Sequence, residues 1–307
     1  MQAYALAGRI EDNFLNLGSS NAGIYAVKFF PLGVPIHVTV DDLMPCYSSI
    51  PLLQFAKVGE DGAIWPVIME KAFAKLHGNY SRIAGGISSA GISYLNGSPH
   101  ENAYPSKMSE QEYWDWIIER MDNHGMLVLG TPCTNGGDDT VNSLGLVNCH
   151  QYAIVDHAIL PNGQKLFKVR NPWHREKYFG PYSDLGISSN VMPDSDLFWL
   201  NTNGHSHQKA NDGEFWMRSE DFHSSAHVVT YNPDVTALGW FHDYHLVLDD
   251  DGTGSEPGIW WWCGEGCFRY TAVVTNGSNV SNKVHVGLHT WRQRTYGSSS
   301  TASSQCY

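Results

Sequence analysis

The chain has 307 residues, a formal net charge of -12, 42% hydrophobic and 12% aromatic content. That length suits two or three domains, and that composition suits packed cores rather than disorder. The acidic balance argues against nucleic acid or an anionic membrane as the main partner, and no apolar run approaches the ~20 residues of a membrane span.

The opening residues, Met1-Gln-Ala-Tyr-Ala-Leu-Ala-Gly-Arg9, lack a basic stretch followed by a long apolar core. They do not read as a signal peptide, so cytoplasmic residence is the expectation. Six cysteines are too sparse and scattered for a disulfide scaffold. Cys263 and Cys267 lie close together, but no second pair completes a metal site, and both read as loop or buried thiols.

Taken in order, the first residues read as the tail of a helix. Two β-like runs follow at 24–30 and 35–40, joined by a turn near Gly33. A helix is expected over 62–77, where Trp65, Ile68, Met69, Ala72 and Leu76 share one face at helical spacing and form core. The Gly- and Ser-rich stretch 84–91 reads as a flexible lobe boundary. A second helix is expected over 109–124, opened by a Ser109/Glu112 capping box, then a strand at 125–130.

Residues 145–174 contain two β-like runs around Asn162-Gly163, a strong hairpin signal. Alternation puts His150, Tyr152 and Ile154 on one face. Asn171 ends the second run, because Pro172 cannot donate to a ladder. A strict two-residue turn would set Asn171 opposite Ile154, leaving His150 four residues further on, ~13 Å away. A bulge near 156–157, or a wider loop, is therefore expected. Beyond it, 183–211 is long and polar, 219–222 starts a short helix, and 226–231 is a strand. From Leu238 short β-like runs alternate with Gly, Asp and Ser turns, as in a β-sandwich, and 297–304 is low-complexity.

A histidine on one strand and an amide at the end of its neighbour form the orienting half of a cysteine-protease site. Gly145-Leu-Val-x-x-His150-x-Tyr152 followed by Arg170-Asn-Pro-Trp173 resembles the calpain-type cysteine proteases. So do Val40-Asp-Asp-Leu-Met-Pro45 and Trp65-x4-Glu70-Lys-Ala-Phe-Ala-Lys-Leu-His-Gly-Asn-Tyr80. The resemblance runs over roughly residues 1–235. It implies an α+β, papain-like fold of two lobes: 1–97 as a truncated first lobe, 98–237 as a β-rich second lobe, and 238–307 as a partial β-sandwich. It implies His150 as base, Asn171 as its orienter and Trp173 as the shield of their bond. Protein or peptide substrates follow, with a weak membrane-surface contact through the β-sandwich.

The family's nucleophile sits at a helix start, in a phrase like Gln-Gly-x-x-x-Asp-Cys, where the N-terminus lowers a thiol's pKa. No such phrase occurs in these 307 residues. The chain is therefore expected to be inactive as it stands, either a fragment of a protease or a non-catalytic, calcium-responsive peptide- or protein-binding pseudoprotease. The resemblance also implies calcium as a cofactor, with Asp184, Asp212 and Glu214 as ligands in the second lobe and Glu70 in the first. Lys177 replaces a carboxylate expected in the Asn-Pro-Trp loop, which weakens or abolishes that site.

Overall fold

A computed structural model describes residues 8–16, 22–59, 61–186 and 189–237. The expected β-sandwich, Cys263 and Cys267 lie outside the described residues, as do residues 1–7. The described start holds a 3-10 turn, Ile10–Asn13, and the helix tail expected of the first residues falls on positions outside the described ones.

Strands β1 (Ile24–Phe29) and β2 (Ile36–Asp41) pair antiparallel, joined by a 3-10 turn at Pro31–Gly33. Helix α1 (Trp65–His77) follows, with a proline in its first turn, where a missing N–H removes no helical bond. Helix α2 (Ser88–Asn96) corrects the expected flexible boundary. Its Gly- and Ser-rich sequence hides the apolar signal, but Ile92 and Leu95 are buried. Its small polar residues let it lie close to the sheet: Asn232 Nδ2 donates to Ser93 Oγ at 3.2 Å and Asn96 Nδ2 to the Pro233 carbonyl at 3.1 Å.

The main sheet has six strands, β3 (Glu101–Ala103), β8 (Val228–Pro233), β4 (Gly125–Gly130), β5 (Gln151–Ile159), β6 (Lys165–Arg170) and β7 (Glu214–Arg218), in that spatial order and antiparallel throughout. Strand alternation lets β4 serve two cores. Met126 and Val128 pack with β1, β2, α1 and α2. Leu127 and Leu129 face the other way, onto helix α3 (Glu110–Asp122) and helix α5 (Ser219–Ser225). Tyr113, Phe167, Phe215 and Phe222 are fully enclosed there. Burying each such side chain stabilises the fold by about 1.5–3 kcal/mol.

The capping box of α3 forms as expected: Ser109 N donates to Glu112 Oε2 at 2.8 Å and Glu112 N to Ser109 Oγ at 3.3 Å. The long polar stretch contains a helix the sequence reading missed, α4 (Asp194–Thr202), whose Leu200 packs with Leu166 and Trp216 in a third apolar cluster.

Candidate functional site

The end of β4 and the start of β5 are tied together at Thr131. Its hydroxyl donates to the Val147 carbonyl at 2.7 Å and accepts the His150 N–H at 3.0 Å, while its own N–H donates to the His150 carbonyl at 3.0 Å. Below the imidazole, the Tyr152 hydroxyl accepts the Val147 N–H at 2.9 Å. Burial pushes the Tyr152 phenol up to about 12, so it stays neutral. Gly145 opens this segment at φ +87°, and a Cβ there would meet the Lys177 carbonyl at 2.0 Å. Only glycine permits that approach.

His150 sits one residue before β5, not within it. The expected irregularity is present: the β5–β6 register shifts between Ile154 and Asp156, just before the position foreseen. The turn is also wider than two residues, with Leu160 N donating to the Gln164 carbonyl at 2.9 Å. Both adjustments move Asn171 along β5 toward His150.

Asn171 is fully buried and every polar atom of its side chain has a partner. Its Oδ1 accepts from His150 Nε2 at 2.9 Å and from the Trp173 N–H at 3.0 Å, and its Nδ2 donates to the Arg175 carbonyl at 3.1 Å. Its own N–H donates to the Gly213 carbonyl at 2.8 Å. Gly213 has φ +89°, and a Cβ there would lie 2.9 Å from the Asn171 carbonyl oxygen. The Trp173 ring lies 4.4 Å from that of His150, and the residue is 37% exposed, so it screens one side of the pair.

With Nε2 donating to an amide oxygen, the lone pair of a neutral imidazole is on Nδ1. Among the described residues no hydrogen bond engages that atom. Burial holds the imidazole below its usual range, and Lys177 adds to this; the Asn171 bond and the Asp138 charge act the other way. Half-buried and neutral near pH 7, His150 is arranged to take a proton at Nδ1.

The described cysteines place no thiol beside it. Cys46 is exposed, with Sγ 3.6 Å from the Met44 carbonyl, in the loop after β2. Cys133 and Cys149 are joined in a disulfide. The sequence reading missed that bond, since two loop residues 16 apart carry no pairing signal.

The four acids expected to bind calcium fall into two places. Glu70, on α1, accepts the Ala56 N–H at 2.7 Å, and burial raises its carboxyl. Asp184, Asp212 and Glu214 gather near the β6–β7 end but are already engaged. Glu214 binds Lys168 Nζ at 2.7 Å and Arg170 at 3.0 Å. Burial raises its carboxyl, but the Lys168 and Arg170 charges outweigh it and hold it ionised. Buried Asp184 accepts from His207 Nε2 at 2.8 Å and the Ala210 N–H at 3.3 Å. Asp212 accepts the Glu214 N–H at 2.9 Å.

Glu176, which the sequence reading passed over, is also buried. Its Oε1 accepts the Asp184 N–H at 3.1 Å, and its Oε2 has no partner. Burial, with the Asp184 and Asp212 charges, lifts its pKa to about 8, so it is mostly protonated at neutral pH. Calcium needs six to eight oxygen ligands, several of them ionised. A carboxylate spanned by two cations and another bonded to a histidine do not fit that need. Among the described residues no group of three or more His, Cys, Asp or Glu is placed to hold a metal ion.

A family model described as calpain family cysteine protease matches residues 9–231. Calpain-8 of Mus musculus is 28% identical over 276 residues, covering 86% of this chain and 36% of the relative. Calpain-9 of Rattus norvegicus is 26% identical over 238 residues, 75% of this chain and 33% of the relative. The calpain-type cysteine protease DEK1 of Zea mays is 31% identical over 221 residues, 70% of this chain and 10% of the relative. The chain thus spans about a third or less of these relatives' length. Among the described residues no helix is long and apolar enough to cross a membrane. With its α+β core and its matched residues 9–231, the chain belongs to the calpain family of cysteine proteases.

Proposed function

We propose that this chain carries the proton-handling half of a cysteine endopeptidase site. The observation that carries the reading is the 2.9 Å bond from His150 Nε2 to Asn171, in a protein that leaves Nδ1 uncommitted. In the reaction, Nδ1 accepts the proton of a cysteine thiol, and the thiolate attacks the substrate carbonyl. The imidazolium then returns the proton to the leaving amine, and water hydrolyses the acyl-enzyme. Asn171 holds the ring through both transfers. Trp173 keeps water from the Asn171 oxygen, where it would compete for the Nε2 proton. None of the described cysteines can supply the thiol: two are oxidised and the third lies in the loop after β2. The nucleophile comes from residues other than these. Cytoplasmic residence and protein or peptide substrates remain part of this proposal.

No step of this proposal runs through calcium. Lys168, Arg170 and His207 supply the positive charge around Glu214 and Asp184. No observation favours the pseudoprotease reading. The chain alone should give no turnover of fluorescent casein, with calcium or with a chelator. Turnover that disappears in Cys46→Ser would overturn the assignment of the nucleophile to other residues.

A further inference from the structure

We propose that the Cys133–Cys149 disulfide is a thiol–disulfide exchange site through which a dithiol reductant governs how firmly His150 is held. Both cysteines are exposed, so a small dithiol can reach either sulfur. Cys149 immediately precedes His150. Its backbone is left-handed at φ 50°, a conformation that disfavours a residue with a Cβ. Two links keep it there, the disulfide and the bond from its N–H to the Pro132 carbonyl at 3.0 Å. Cys133 lies two residues beyond Thr131, whose hydroxyl and N–H fix both backbone groups of His150. The disulfide thus closes a ring on the same strand ends that Thr131 clamps. The enclosed loop carries Asp138, whose charge acts on the imidazole.

The exchange balances without other reagents. A thiolate of the dithiol attacks one sulfur, the S–S bond breaks, and the other cysteine leaves as a thiolate. The second thiol of the reductant displaces the first cysteine from the mixed disulfide. Two electrons and two protons pass to Cys133 and Cys149, and the dithiol becomes a disulfide. The left-handed Cys149 then loses its covalent support, and the 131–150 segment loosens. The consequence for catalysis rests on the proposed role of His150 as base; the exchange and the loosening do not.

The experiment uses the full chain with dithiothreitol, read by alkylation mass spectrometry and hydrogen exchange. Before reduction iodoacetamide should label Cys46 but neither Cys133 nor Cys149, and afterwards all three. Amides over 131–150 should exchange about tenfold faster after reduction, because local opening there becomes easier. Amides of β6 should not change. The His150 ring signals should shift on reduction, while those of buried His207 stay. A Cys133→Ser/Cys149→Ser variant should show the faster exchange with or without dithiothreitol. Labelling of Cys133 or Cys149 before reduction, or exchange and His150 signals indifferent to reduction, would overturn the proposal. Neither outcome depends on whether His150 acts as a base.

Discussion

His150 and Asn171 are held together from both sides of one hairpin: the imidazole donates from Nε2 to Oδ1 at 2.9 Å, and the amide that receives it is itself fully hydrogen-bonded and buried. Thr131 positions the histidine through its backbone, and Gly213 and Arg175 position the asparagine.

The pair has a pH signature. Burial depresses the imidazole pKa and the Asn171 bond partly restores it. In a nitrogen-15 titration His150 should therefore lose its proton below the ordinary 6.5, and at a still lower pH in Asn171→Ala. A depressed base contributes stability above its unfolded pKa, lost as pH falls through the folded value. The His150 contribution should thus fade on acidification below 6.5. A midpoint that rises in Asn171→Ala would show that the bond does not favour the protonated ring.

Two glycines with nearly equal φ separate backbone strain from contact. Gly213 (φ +89°) faces the Asn171 carbonyl at 2.9 Å, whereas Gly163 (φ +86°), in the hairpin turn, has open space around it. Gly163→Ala should cost only the left-handed penalty, about 1–2 kcal/mol. Gly213→Ala should cost more, roughly 2–4 kcal/mol, because the Asn171 backbone must also move. Denaturant unfolding of both variants checks this, and equal losses would remove Gly213 from the account of the site.

Glu176 gives a stability effect of the opposite sign to an ordinary acid. Its folded pKa is raised from 4.5 to about 8. The folded state holds the extra proton, so this group's stabilisation is present below 4.5 and is lost as pH rises toward 8. Glu176→Gln should be near neutral at pH 4 and stabilise increasingly above pH 5, by up to about 4 kcal/mol at pH 8. Urea melts across that range measure it. A gain that is constant with pH would mean that Glu176 is ionised in the folded protein.

Calcium should leave thermal stability unchanged. With Lys168 and Arg170 on Glu214 and His207 on Asp184, the melting temperature in millimolar calcium should match that in chelator to within about 1 °C. Lys168→Met should destabilise instead, by about 2–4 kcal/mol, since it leaves a half-buried Glu214 short of a partner. A calcium-dependent rise of several degrees in the unaltered chain would contradict the charge arrangement described.

Much of this was legible in the sequence, for physical reasons that differ by element. The helix at 62–77 shows because its apolar face repeats at helical spacing, and the capping box at Ser109 shows because two residues suffice to encode it. The His150–Asn171 pair shows because two short phrases frame it, and even the bulge follows from counting residues around the hairpin. Helix α2 does not show, because serines and glycines let it approach β8 closely while reading as linker. Helix α4 does not show because its apolar residues, 197–200, run consecutively instead of at helical spacing, and only Leu200 is buried. The Cys133–Cys149 bond and the ion pairs on Glu214 are tertiary facts: their members are separated in sequence and are brought together by the fold.

The most direct test of the central claim is the His150 dependence of a completed site. Fusing a calpain-type N-terminal segment with a helix-start cysteine to this chain should produce peptide hydrolysis. Its kcat/KM should fall about 10²–10⁴-fold in His150→Ala, and less in Asn171→Ala, where the base survives but is poorly oriented. A folded fusion that stays inert, or one whose rate is indifferent to His150→Ala, would contradict the assignment of His150 as the base.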